Sequence, residues 1–184
     1  GKTSTRQLLE HNLFGTVNLL ELARIWNSGL LMLSTSRVYS IHQLAAILVA
    51  AKGKRFVPRA TKLPGFSSRG VAEDFSVAPP LSLYGSSKLA SEVLACEYAE
   101  AFGLPVFINR CGVLAGAGQF GKIDQGIFSF WIHSWRAQRP LKYIGFKGTG
   151  FQVRDCLHAR DLTSLLARQM QKPRKDAPRI VNVS

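Results

Sequence analysis

The chain has 184 residues, 46% of them apolar, which is enough to bury one core and amounts to about one domain's worth of sequence. No apolar run approaches the roughly 18 residues that a membrane span needs, and the best candidate, residues 41–51, carries His42 and Gln43. Three widely spaced cysteines, Cys96, Cys111 and Cys156, speak against a disulfide or zinc framework and for reduced thiols in a cytoplasmic protein, while a net charge of +13 leaves an anionic partner open.

Residues 4–26 read as a helix, with Leu8, Leu9, Leu13, Val17, Leu20 and Leu22 on its buried face; Ser28-Gly29 breaks it. Leu30-Leu31-Met32-Leu33 is an uninterrupted apolar run, the pattern of a parallel strand covered on both faces. It leaves through Ser34-Thr35-Ser36-Arg37-Val38-Tyr39. Residues 40–82 are mostly loop, with a short apolar segment at 44–51 and a strand at 55–57. Pro79-Pro80 ends the loop, Ser82 is placed as an N-cap, and Leu89, Val93, Leu94 and Tyr98 repeat at helical spacing. That helix runs over 83–102 and stops at Gly103, because Pro105 cannot continue it. A second apolar strand follows at 105–109.

From Gly112 the character changes. Residues 112–118 are glycine-rich, and residues 122–138 predict a helix rich in aromatics. Short strands are expected at 142–144 and 152–153, and an amphipathic helix at 161–171 ahead of Pro173. Residues 179–184 read as a strand cut short. Helix and buried strand in alternation predict an α/β fold with a doubly wound parallel sheet. We divide the chain into 1–115, 116–150 and a return to the first unit at 151–184.

Tyr84 and Lys88 stand four residues apart, so they project from one face of their helix. An ammonium beside a phenol favours the phenolate, a proton acceptor usable near neutral pH. Alone, such a spacing is equally a chance pair on a solvated helix. In an open parallel sheet, however, ligands sit outside the carboxyl ends of the strands. Ser34-Thr35-Ser36 leaves one such end and Asn109-Arg110-Cys111 the next, with the Tyr84 helix between them in sequence. A Ser/Thr cluster after a strand is ordinarily turn chemistry. The order of strand, Ser-Thr, loop, Tyr-x-x-x-Lys helix and strand is far more specific than any of its parts.

With these residues in place, the chain resembles the extended short-chain dehydrogenase/reductase family, in particular its nucleotide-sugar epimerases and dehydratases. Asn12 to Glu21 looks like that family's helix before the catalytic strand, and Arg154-Asp155-Cys156-Leu157-His158-Ala159-Arg160-Asp161 like its Arg-Asp-x-x-His-x-x-Asp segment. Gly116-Ala117-Gly118-Gln119-Phe120, Asp124-Gln125-Gly126 and Gln152-Val153-Arg154-Asp155 resemble the CDP-paratose (CDP-tyvelose) 2-epimerase branch. The resemblance implies a Rossmann-like NAD-binding fold with a small substrate-binding region, a nucleotide-sugar substrate and a homodimer. It also implies transient oxidation of the sugar by NAD and its re-reduction on the other face.

In that scheme Thr35, Tyr84 and Lys88 are catalytic. Ser34, Tyr84, Lys88 and Cys111 contact the cofactor. Ser36, Arg37, Gln119, Gln125 and Arg154 contact the substrate, Arg154 at its diphosphate. Other readings stand beside these: a surface charge for Arg37, an internal pair with Asp155 or Asp161 for Arg154, and helix capping for Asp124.

The chain also departs from the family's pattern. The glycine-rich dinucleotide fingerprint is absent, so two βαβ units, roughly 60–80 residues, are expected upstream. Val113 stands where many relatives carry an asparagine, and Ser36-Arg37 stands where a dehydratase carries two acids, which favours epimerisation over elimination. His11, His42, His133 and His158 show no metal spacing, so no metal is expected. The rival reading is a basic scaffold that binds nucleic acid through Lys52, Lys54, Arg55, Arg59, Lys62 and Arg69. Only Phe56 and Phe66 are available there for stacking and no RNA-binding motif occurs, so nucleic acid is not the expected partner.

Overall fold

The computed structural model describes residues 4–59, 62–122, 125–171 and 179–184. Ser4 opens the first helix through a capping box: its hydroxyl accepts from the Gln7 amide at 3.2 Å, and the Gln7 side chain accepts from the Ser4 amide at 3.1 Å. The expected single helix is α1 (Thr5–Leu9) and α2 (Gly15–Ile25), joined by a π-helical turn at Glu10–Phe14. In that wider turn the Asn12 carbonyl accepts from Thr16 Oγ1 at 2.6 Å and from Ser91 Oγ, in a later helix, at 3.1 Å.

Strand β1 (Leu30–Thr35) runs into a 3₁₀ turn, Ser36–Val38. The loop that follows holds α3 (Ile41–Ala45), an antiparallel hairpin of β2 (Val49–Lys52) and β3 (Arg55–Pro58), and a small ladder of β4 (Phe66–Ser67) with β5 (Gly70–Val71). Helix α4 (Leu83–Phe102) begins and ends where its caps dictate. The Ser82 hydroxyl accepts from the Gly85 amide at 2.9 Å, and Gly103 takes the left-handed conformation at φ 63°. There follow β6 (Val106–Cys111), β7 (Leu114–Ala115), α5 (Ile127–Arg136), a 3₁₀ turn at Phe146–Gly148, β8 (Leu157–His158), α6 (Ala159–Gln171) and β9 (Arg179–Val183).

The central sheet is parallel, in the order β1-β6-β9, with Leu30 beside Val106, Thr35 beside Cys111 and Cys111 beside Val183. Side chains alternate across it. Met32, Val106 and Ile108 pack against Leu20, Ala23, Ala95 and Ala99 of α2 and α4. On the opposite face Cys111 packs with Leu162 of α6, and Asn109 exchanges two hydrogen bonds of 2.9 Å with Gln169. Helices therefore cover both faces, as a doubly wound parallel sheet requires.

Three expectations are corrected. Residues 142–144 and 152–153 are not strands, because Gly145, Lys147, Gly148 and Gly150 all take positive φ and turn the chain too tightly for a ladder. The pairing in this region is instead β7 with β8. The aromatic helix starts at Ile127, since Lys122 and Gln125 close a bridge and Gly126 is left-handed. Finally, β1 is not covered on both faces: Leu33 is 41% exposed, and among the described residues β1 has a partner strand on one side only.

The accessible surface is 13070 Å², whereas a compact monomer of this mass exposes about 8,800 Å². Large apolar side chains, among them Leu33, Leu19 and Trp26, are exposed. Expressed alone, the 184-residue chain should self-associate through the β1 edge and bind hydrophobic dyes. One sharp calorimetric transition from a monodisperse monomer would contradict this.

Candidate active site

The carboxyl ends of β1 and β6 and the first turns of α4 meet at one place. Thr35, the last residue of β1, accepts from the Arg37 amide at 3.2 Å through Oγ1 and so shapes the turn that carries Ser36 and Arg37. That turn lies directly on α4: a Cβ at Gly85 would collide with the Arg37 carbonyl oxygen. Glycine at 85 is what allows the β1 exit to approach Tyr84. Tyr84 itself is 37% exposed, with its neighbours Gly85 and Ser87 buried beneath it. The π turn braces the same region, since Asn12 Nδ2 donates to Ser87 Oγ at 3.1 Å.

Lys88 follows one turn after Tyr84 and is half-buried. Burial pushes its pKa below the ordinary lysine value; the fields of Glu92 and Cys111 act in the opposite sense. Among the described residues, no hydrogen bond or ion pair ends on its ammonium. Cys111, beside Thr35 in the sheet, is buried; burial pushes its thiol up, and the Lys88 charge draws it back down. Thr35 and Cys111 thus end their strands side by side, and the Lys88 charge reaches the Cys111 thiol. Ser34 is different. Its hydroxyl donates to Glu92, so its proton is committed there and only its acceptor positions remain.

Sequence reasoning did not single out Glu92 or Tyr39, and it named Arg110 only as part of a strand end. All three are buried, at 1%, 4% and 5% exposure. Arg110 grips the Glu92 carboxylate with Nε at 3.2 and 3.1 Å and Nη2 at 2.7 Å, and its Nη1 donates to the Tyr39 hydroxyl at 3.2 Å and the Glu73 carbonyl at 3.0 Å. Burial works against the guanidinium charge, but the bonds to Glu92 and Tyr39 outweigh it and raise the Arg110 pKa. The Tyr39 hydroxyl donates to Asn182 Oδ1 on β9 at 2.6 Å. The signal was present in the sequence: a lone arginine inside an apolar strand must find a buried partner.

Residues expected to contact the substrate fall at two cavities, both lined by Phe128 and Ile132 of α5. Arg154 lines the larger, about 620 Å³, together with Trp131, Lys142, Tyr143 and Gln152; Trp131 and Tyr143 lie with ring centroids 5.3 Å apart. Among the described residues Arg154 makes no ion pair with Asp155 or Asp161. Asp155 instead backs onto Gly112, next to Cys111, and the Leu157 amide donates to the Val113 carbonyl at 2.9 Å, which brings this segment to the β6 exit. Gln119 lines the smaller cavity but is occupied, donating to the Leu114 carbonyl at 2.9 Å and accepting from Ser129 Oγ at 3.1 Å. Gln125 bridges to Lys122 and lines neither cavity, and Asp124 lies outside the described residues. Among the described residues, no group of three or more His, Cys, Asp or Glu is placed to hold a metal ion.

A prediction follows from the Lys88 shift. With its folded pKa depressed, the unfolded chain binds the proton more strongly. Lys88 therefore costs stability fully below the folded pKa, and that cost is relieved as pH rises to the unfolded value of about 10.4. Lys88→Met in the full-length protein should then raise the melting temperature at neutral pH by about 1–3 °C, allowing for solvent screening at this half-exposed site. Thermal unfolding read by circular dichroism checks this; a lower melting temperature would count against an uncompensated ammonium.

A family model described as the NAD dependent epimerase/dehydratase family matches residues 2–184. The chain is 33% identical over 165 residues to the CDP-paratose 2-epimerase of Salmonella typhi, covering 85% of this chain and 45% of that protein. It is 29% identical over 157 residues to the UDP-glucuronate 4-epimerase of Thermodesulfobacterium geofontis, covering 84% and 38%. The chain thus spans less than half the length of these curated relatives. Its fold superposes on the dTDP-glucose 4,6-dehydratase of Bacillus anthracis solved in complex with NAD, with a TM-score of 0.69 at 25% identity over 99% of this chain and 49% of that one. This chain belongs to the NAD dependent epimerase/dehydratase family.

Proposed function

We propose that this chain carries the catalytic edge and substrate segment of an NAD-dependent epimerase acting on a nucleotide-activated sugar. The specific reaction is 2-epimerisation of a CDP-activated deoxyhexose, as the name of the Salmonella typhi relative suggests. The observation that supports the reading is the close approach of the β1 exit, at the Arg37 carbonyl, to Gly85 on the turn of α4 that carries Tyr84 and Lys88. The division at 1–115, 116–150 and 151–184 belongs to the same proposal, with the middle unit as the substrate-binding part.

The residues present fit the cofactor. Lys88 is a half-buried ammonium whose donors find no partner among the described residues, beside a strand end of the kind that receives a dinucleotide in this fold. Tyr84, Lys88 and Cys111 would line its nicotinamide end. The chemistry NAD supplies when bound is reversible hydride acceptance from the sugar carbon. The chain's own groups handle the proton. Tyr84, exposed at the edge, takes it from the sugar hydroxyl and later returns it. Lys88 supplies a positive charge one turn away on the same face of α4. Thr35 uses one acceptor position of its hydroxyl on the Arg37 amide and keeps its proton to donate to the sugar.

Arg154 and Lys142, in a cavity walled by Trp131 and Tyr143, would bind the diphosphate and cover the base. Ser36 and Arg37, packed on the start of α4, border the sugar; Gln119 and Gln125 shape the loop ahead of α5. The homodimer is part of this proposal, formed where α2 and α4 expose Leu19, Leu22, Trp26 and Val93. So is a cytoplasmic location, in keeping with three free cysteines and with no helix among the described residues long and apolar enough to cross a membrane.

In the full-length protein, Tyr84→Phe should lower turnover at least about 10²-fold and leave sugar-nucleotide affinity nearly unchanged. Near-normal turnover would remove Tyr84 from the proton path. Offered a panel of sugar nucleotides, the enzyme should invert carbon 2 of a CDP-deoxyhexose. Inversion only at carbon 4 of a UDP-hexose would replace this specificity, and no reaction at all would remove the role of Arg154.

A further inference from the structure

Behind the Tyr84–Lys88 face of α4, the buried polar side chains are Ser34 on β1, Glu92 on α4, Arg110 on β6, and Tyr39. Packed apolar residues would fill this space at less desolvation cost, so stability alone does not account for an ion pair here. Its placement does. Glu92 stands one turn beyond Lys88 on the same face of α4. Its carboxylate accepts from Ser34, the neighbour of Thr35, and from Arg110, the neighbour of Cys111. Each of those bonds ends one residue away from a site residue.

We propose that Glu92 is a positioning residue whose carboxylate, held by Ser34 and Arg110, sets the rotation of α4 so that Tyr84 and Lys88 meet Thr35, and whose charge offsets that of Arg110 beside the Lys88 ammonium. This rests on the reaction proposed above. The carboxylate and the Arg110 guanidinium cancel in charge, so Lys88 faces a neutral assembly. If only the carboxylate charge is removed, Lys88 faces a second buried cation. The groups around the pair are Arg110 and Cys111 from β6, Tyr39 and the Glu73 carbonyl from the loop, Asn182 from β9, and Lys88 and Cys96 on α4 itself. Burial drives the proton from Lys88, and the Glu92 field acts to retain it.

The test is made in the full-length protein. Glu92→Gln keeps the size and a hydrogen-bond acceptor but drops the charge. It should lower kcat by about tenfold to a hundredfold, with the sugar-nucleotide KM changed less than about twofold. The alkaline limb of the pH–rate profile, where Lys88 loses its proton, should move to lower pH. The Lys88 titration followed by NMR on isotope-labelled lysine, assigned by its loss in Lys88→Met, should move the same way with no substrate present. An enzyme that turns over no sugar nucleotide would sink the proposed reaction and still leave that titration to judge Glu92. Ser34→Ala removes one bond and leaves the ion pair, so kcat should fall while the Lys88 titration stays in place; this variant carries the test if Glu92→Gln fails to fold. An unmoved Lys88 titration in Glu92→Gln, or wild-type kcat in Ser34→Ala, would overturn the proposal.

Discussion

The ion pair between Glu92 and Arg110 is the interaction on which the arrangement of the edge depends. It lies in the interface between α4 and the sheet, shielded from water, with the carboxylate also bonded to Ser34 and the guanidinium also bonded to Tyr39 and the Glu73 carbonyl. Through these bonds one helix is referenced to β1, to β6 and, by way of Asn182, to β9. Apolar packing of Ala95 and Ala99 against Ile108 is non-directional and would tolerate some rotation of α4. A bidentate carboxylate–guanidinium contact tolerates far less. Directional bonding beneath the site and close backbone approach at Gly85 above it fix Tyr84 and Lys88 from two sides.

The elements that were legible from the sequence are those whose signals are local. Helix α4 was bounded correctly because Ser82 and Gly103 state its ends in backbone terms, and the four-residue spacing of Tyr84 and Lys88 set both on one face of it. Strand β6 was read because Val106 to Ile108 form an apolar run. What stayed hidden depends on contacts distant in sequence. The π turn at Glu10–Phe14 receives a hydrogen bond from Ser91, which no local pattern announces. Glu92 looked like one more charge on an amphipathic helix, and only the pairing of α4 with β6 makes it a core residue. The expected strands at 142–144 and 152–153 failed for a local reason: three glycines and Lys147 at positive φ turn the chain between them.

The substrate segment follows a different rule from the sheet. Its walls are aromatic and its connections are turns, and it is joined to the catalytic edge by short backbone contacts at Gly112 and Val113. Val113 contributes its carbonyl to that join.

The central claim is that the sugar is oxidised and re-reduced at the carbon that is inverted. The most direct measurement is the deuterium content of that carbon after turnover by the full-length enzyme in deuterated water. Oxidation at the inverted carbon returns the same hydride, so the account predicts no solvent deuterium there. Deuterium at that carbon would show deprotonation beside a ketone and contradict it.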